Sequence, residues 1–177
     1  MDSPARRIAA AGPCRTVCKD RVSRGAIAQN DAILAAPGVP TVSSIEQFLP
    51  HVLNHPLHRA MGVERIEASE GRSRIEIDVG PTMVNAAGMF LGGNVYTICD
   101  MACYAALLSE LPEGENAVTH DIHVSLMRGA RAGDRVVFTG RVIRRGRSVA
   151  FMEAEARCGE EIVARATVTK SILKPRS

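Results

Sequence analysis

The chain has 177 residues, with 22 Lys and Arg against 19 Asp and Glu, a formal net charge of +3. That length suits one domain plus an extension. Aromatic residues make up 3% and Trp is absent, which argues against base-stacking or sugar-stacking platforms and so against nucleic acid as a partner. The mild basic excess fits an anionic small molecule better than a duplex. No run has the apolar length of a membrane-spanning helix, so no membrane association is expected.

Residues 1–42 form the first unit. Arg6, Arg7, Arg15, Lys19, Arg21 and Arg24 face few acids, and Gly12-Pro13, Gly25 and Pro37-Gly38-Val39-Pro40 interrupt every helical pattern. The composition predicts a flexible basic N-terminal extension, read as a tail, a transit peptide or an upstream start. The second unit, residues 43–177, is patterned throughout. Ser43-Ser44 followed by Glu46 reads as a helix N-cap, and Pro50 and Pro56 are expected to limit that helix to short pieces. His55 and His58 are a close pair without a third ligand, read as a solvated turn rather than a metal site.

Two strands follow, Met61–Ser69 and Arg72–Val79, joined by a hairpin turn at Glu70-Gly71. A loop, Thr82–Phe90, carries Asn85 and Gly88. Next comes a long apolar helix from about Gly93 to Ser109, closed by Leu111-Pro112-Glu113-Gly114. Four strands complete the chain: Ala117–Met127, Arg135–Ile143, Val149–Ala156 and Ile162–Leu173. Strict alternation in the first of these puts Ile122, Val124 and Leu126 on one face and Thr119, Asp121, His123 and Ser125 on the other. The order implies an α+β domain, an antiparallel sheet with one helix on a single face.

Asp100 interrupts the apolar helix that begins after Gly92-Gly93. A buried carboxylate is costly unless paired or used, and a diglycine at a helix start offers backbone N–H groups to a ligand. On the helical period, Tyr96, Thr97, Cys103 and Tyr104 share a stripe with Asp100. Asp100 is then either a chemically active acid or one held by Thr97 or by a partner. Gly93 and Asp100 are seven residues apart, about 10 Å along the axis, too far for a carbonyl held at one to be served by the other. Two antiparallel helices across a two-fold axis would bring the two features together.

Five cysteines lie at positions 14, 18, 99, 103 and 158 with no CxxC spacing. They point to a reducing, cytoplasmic setting without a disulfide framework. Cys99 and Cys103 read as core fillers, with Cys103 able to touch a substrate from the Asp100 stripe. Arg144-Arg145-Gly146-Arg147 is a basic hairpin turn, a candidate for phosphate groups or simply a solvated strand end.

Asn85-Ala-Ala-Gly88-Met-Phe-Leu91-Gly92-Gly93, then Asp100, then Ala117-Val-Thr119-His-Asp121, with Arg128-Gly-Ala, Gly133-Asp134 and Arg144–Arg147 beyond, resembles the hotdog-fold acyl-CoA thioesterases of the PaaI type. The resemblance covers roughly residues 56–174. It implies a hotdog fold, with the antiparallel sheet wrapped around one long central helix, and subunits paired as a homodimer or homotetramer. It further implies hydrolysis of an acyl-CoA thioester to free acid and CoA at a site shared between subunits. In such a site Gly92 would polarise the thioester carbonyl, Asn85 would hold the thioester or water, Thr119 would orient the water, and Asp100 would act as nucleophile or general base. Leu91, Gly93 and Tyr104 would line the substrate site, and Arg144, Arg145 and Arg147 would meet the CoA phosphates. No metal or bound cofactor is implied, since CoA enters with the substrate. Relatives usually carry histidine where this chain has Leu91. That departure implies an enzyme that manages without it, an unusual acyl group, or a non-catalytic acyl-CoA-binding or regulatory protein on the same fold. A hotdog dehydratase or hydratase fits less well, because no histidine precedes Gly92.

Overall fold

The structure, a computed structural model, describes residues 43–175; the expected extension at 1–42 lies outside the described residues. Helix α1 spans Ser44–Asn54. Its start is the expected N-cap, completed as a capping box: Ser43 Oγ accepts from the Glu46 amide at 3.4 Å and Glu46 Oε2 accepts from the Ser43 amide at 3.1 Å. Pro50 lies inside this helix and does not shorten it. The proline removes one helical N–H, but Ile45, Phe48, Leu49, Val52 and Leu53 pack against the core and offset that loss. Pro56 opens the short helix α2, Pro56–Ala60.

Strands β1 (Ile66–Ser69) and β2 (Arg72–Asp78) form the expected hairpin. Its turn residues Glu70 and Gly71 have φ of 49° and 68°, the left-handed pair that a two-residue turn of this twist needs. The expected first strand is shorter than the alternation suggested. Met61 and Val63 are buried, but they sit in the turn after α2 rather than in the sheet.

A 3-10 turn, Pro81–Met83, leads to helix α3, Gly92–Leu108. Strands β3 (Asn116–Leu126), β4 (Arg135–Arg145), β5 (Val149–Cys158) and β6 (Glu161–Leu173) complete one six-stranded sheet in the order β1-β2-β4-β5-β6-β3. Every pairing is antiparallel. Among the described residues β3 is an edge strand, reached from α3 but paired only with β6.

α3 is apolar on most of its circumference, as a helix enclosed by a sheet must be. Ile98, Cys99, Ala102, Cys103, Ala105 and Leu107 are fully buried. Its seat on the sheet depends on Gly140 in β4. A Cβ there would lie 2.5 Å from the Ala102 carbonyl oxygen, so only glycine lets strand and helix approach this closely. Ser73 Oγ in β2 donates to that same oxygen at 2.6 Å. The strip of α3 that the described residues leave exposed or half-buried carries Gly93, Tyr96, Thr97, Asp100 and Tyr104.

Candidate active site

Asp100 sits in the middle of α3, on that strip, with its side chain 33% exposed. Two strands reach it. Thr119 Oγ1 of β3 donates to Asp100 Oδ1 at 2.8 Å. Lys170 Nζ of β6 donates to the same oxygen at 2.7 Å and to Thr119 Oγ1 at 2.7 Å. The lysine side chain is 2% exposed, and its ammonium lies 5.4 Å from the centre of the Tyr104 ring, within range of a favourable cation–ring contact. The Tyr104 hydroxyl is held by Asn116 Oδ1 at 2.6 Å.

The position of Thr119 departs from strict alternation. The β3–β6 register shifts between Thr119 and Asp121, so His120 is the extra residue of a β-bulge. One added residue reverses the facing of everything before it. Thr119 therefore joins the helix side with Ile122 and Val124, whereas alternation from Ile122 grouped it with Asp121, His123 and Ser125. The same register pairs Thr119 with Lys170 across the strands.

Lys170 was not singled out by sequence reasoning, although a signal for it exists. In β6, Ala164, Ala166, Val168, Lys170 and Ile172 are all buried, a period-two inward series. A lysine in that series needs a buried anion, and Asp100 is the acid placed in an otherwise apolar helix.

The second cluster lies at the N-terminal tip of α3. Leu91 is the N-cap and supplies no side-chain hydrogen bond. The Gly92 and Gly93 N–H groups belong to the first turn, which has no intrahelical acceptors, and they meet the positive end of the helix dipole. Gly92 and Asn85 line a common cleft of about 300 Å³ with Phe90, Val95, Leu126 and Val163. A Cβ on Gly92 would lie 2.8 Å from Leu126 Cδ1. The side-chain oxygen Asn85 Oδ1 is committed to its own loop, accepting from the amides of Ala87 at 2.9 Å and Met89 at 3.1 Å. Its NH2 is thereby left to donate. Gly88, at φ 72°, closes this turn with its amide on the Asn85 carbonyl at 2.8 Å.

Within one chain the two clusters stay apart. Gly92 and Asp100 are eight residues apart on α3, about 12 Å along the axis. Arg144, Arg145 and Arg147 are exposed at the β4–β5 hairpin. Ala150 pairs with Lys170, which pairs with Thr119, so this hairpin lies at the Asp100 end of the sheet. Arg145 Nε already faces Glu110 at 3.9 Å, which leaves Arg144 and Arg147 as the less encumbered cations.

Cys103 does not reach a substrate surface. It is fully buried, and burial, ahead of the neighbouring charges, holds its thiol well above the ordinary 9.0. Cys99 is likewise pushed up to about 12, by burial first and by the Asp100 charge second. The His55 and His58 rings lie 4.7 Å apart at a 38° tilt, and His58 Nδ1 bonds the Val52 carbonyl at 2.8 Å. Among the described residues no group of three His, Cys, Asp or Glu could hold a metal, and no helix is long and apolar enough to cross a membrane.

Residues 87–164 match the family model described as the thioesterase superfamily. A Deinococcus radiodurans protein named "Putative esterase" is 30% identical over 128 residues, covering 72% of this chain and 85% of that one. The acyl-coenzyme A thioesterase 13 of Homo sapiens is 27% identical over 121 residues, 64% of this chain and 85% of that one. The Escherichia coli PaaI protein from the phenylacetic acid degradation operon superposes with a TM-score of 0.66 at 21% identity, over 75% of this chain and 96% of that one.

Proposed function

The chain belongs to the hotdog thioesterase superfamily, its activity is thioester hydrolysis, and we propose that its substrate is an acyl-CoA, cleaved at a site completed by two copies of the chain. The observation that carries this reading is the anchored carboxylate on the partly exposed strip of α3, about 12 Å from an uncapped, glycine-built helix tip. Each end supplies half of a hydrolytic site, and two-fold pairing of antiparallel helices supplies the whole.

In the proposed reaction the thioester carbonyl oxygen accepts from the Gly92 N–H, where the helix dipole favours the negative charge that develops. The Asn85 NH2 donates beside it. Asp100 of the other chain takes a proton from water as the water oxygen bonds to the carbonyl carbon. The C–S bond then breaks, and the proton passes to the leaving thiolate. Products are the free acid and CoA, and the chemistry requires neither metal nor bound cofactor. The apolar cleft beside Gly92 suits the acyl group, with Leu91 and Gly93 at its rim. Arg144 and Arg147, with Arg145 behind them, suit the CoA phosphates. Tyr104 serves by walling the Asp100 end.

Turnover of a panel of acyl-CoAs, read as released thiol, tests this for the native chain against Asp100→Asn. Hydrolysis lost in the variant supports the reading. Equal rates in both remove Asp100 from the reaction, and tight binding without turnover favours a binding module.

A further inference from the structure

Lys170 is buried where an apolar residue would be easier to accommodate. Its neighbours on the inward face of β6 are Ala166, Val168 and Ile172. A buried ion pair is often no more stabilising than apolar residues of the same volume, so packing alone gives no reason for lysine here. The hydrogen-bond valences give one. Thr119 has a single hydroxyl proton, and that proton goes to Asp100 Oδ1 at 2.8 Å. The lone pairs of Thr119 face the Lys170 ammonium at 2.7 Å. The ammonium also donates to Oδ1 at 2.7 Å. The three groups close a ring in which Oδ1 receives two donors. Among the described residues Oδ2 accepts no hydrogen bond. The Tyr104 ring, 5.4 Å from the ammonium and tied down by Asn116, closes the space behind it.

We propose that Lys170 is a positioning residue for Asp100: with Thr119 it fastens Oδ1 and so presents Oδ2 as the oxygen that takes the proton from the attacking water. This rests on the thioesterase reading above. The two oxygens of an aspartate interchange by rotation about its terminal bond, whose torsional preference is broad. Anchors from β3 and β6 remove that freedom. Thr119 thus orients the carboxylate and has no proton left to orient the water.

The test is a kinetic cycle on the full chain with the best-turned-over acyl-CoA, using Lys170→Met, Asp100→Asn and the double variant. Methionine keeps the length and apolar stem and removes the charge and donors. Circular dichroism and thermal unfolding verify that each variant is folded; if Lys170→Met does not fold, Lys170→Gln takes its place in the same cycle. The expected result is a fall in kcat of about 10- to 100-fold with KM changed less than about threefold. On the residual turnover of Asp100→Asn, measured at raised enzyme concentration, the Lys170 substitution should add less than about a twofold change, because it acts only through that carboxylate. Three results overturn the proposal: a kcat within about twofold of native, an equal loss in both backgrounds, or a loss confined to KM. Native protein inactive on every acyl-CoA overturns the thioesterase reading and the role of Lys170 with it, whereas active native protein with additive losses overturns the Lys170 role alone.

Discussion

Alanine at Gly140 adds one methyl group at the place where the sheet touches the central helix. Its Cβ would sit 2.5 Å from the Ala102 oxygen, 2.6 Å from the Ala102 carbonyl carbon and 2.8 Å from Ser73 Oγ. Two of those atoms are backbone of α3, so no rotamer change relieves them. Reaching ordinary contact near 3.4 Å requires the helix to lift by close to 1 Å, at an overpacking cost of about 1–3 kcal/mol. At roughly 2–4 °C per kcal/mol for a domain of this size, the midpoint should fall by about 2–12 °C. Asp100 lies two residues before Ala102 and would move with it, and a misplacement of about 1 Å can cost on the order of 100-fold in rate. Thermal unfolding and acyl-CoA turnover of Gly140→Ala measure both effects. Gly133→Ala is no neutral control, since its φ is 91°; Gly93→Ala, with nothing within 4 Å of the added Cβ, is the control for stability. A Gly140→Ala protein with native midpoint and native rate would refute the idea that this glycine seats the helix that carries the acid.

Other outcomes follow from the same geometry. Gly92→Pro deletes one N–H at the first helical position, where proline is tolerated. Leu91 before it already has φ −58° and ψ 124°, which suits a residue preceding proline; kcat should fall about 100- to 1,000-fold with little loss of midpoint. Deleting His120 removes the extra residue and leaves Thr119 directly before Asp121, still paired with Lys170 and facing α3, so acyl-CoA turnover by the deletion variant should survive. Cys99 and Cys103 should resist thiol reagents at neutral pH until unfolding, as mapped by mass spectrometry. The folded Cys99 thiol keeps its proton to about 12 against an ordinary 9.0. The unfolded chain therefore ionises first, and stability should decline as pH rises from about 9 towards about 12, a trend that urea unfolding at stepped pH can check.

Much of this architecture is written in local chemistry. The hairpin at Glu70-Gly71 and the capping box at Ser43 are short-range devices, and each forms where its residues stand. The long helix is fixed by its apolar composition and its glycine start. What escaped were effects of tertiary pairing. The His120 bulge leaves no trace in the alternation of β3, because a single unpaired residue becomes visible only against β6. Pro50 is tolerated because α1 is held by packing rather than by its own hydrogen bonds. Lys170 was concealed in a strand rich in small residues, and its meaning appears only when the chain places it against Asp100, seventy residues earlier in sequence.

The central claim is that each reactive pocket draws its acid from one chain and its carbonyl-binding amide from another. Mixing two inactive variants, Asp100→Asn and Gly92→Pro, under conditions that exchange subunits tests it most directly. In a mixed pair one pocket carries both defects and the other carries neither. With half of the pairs mixed, each with one intact pocket, about one quarter of native activity should return. Mixed pairs verified by mass spectrometry that show no recovered turnover would contradict it.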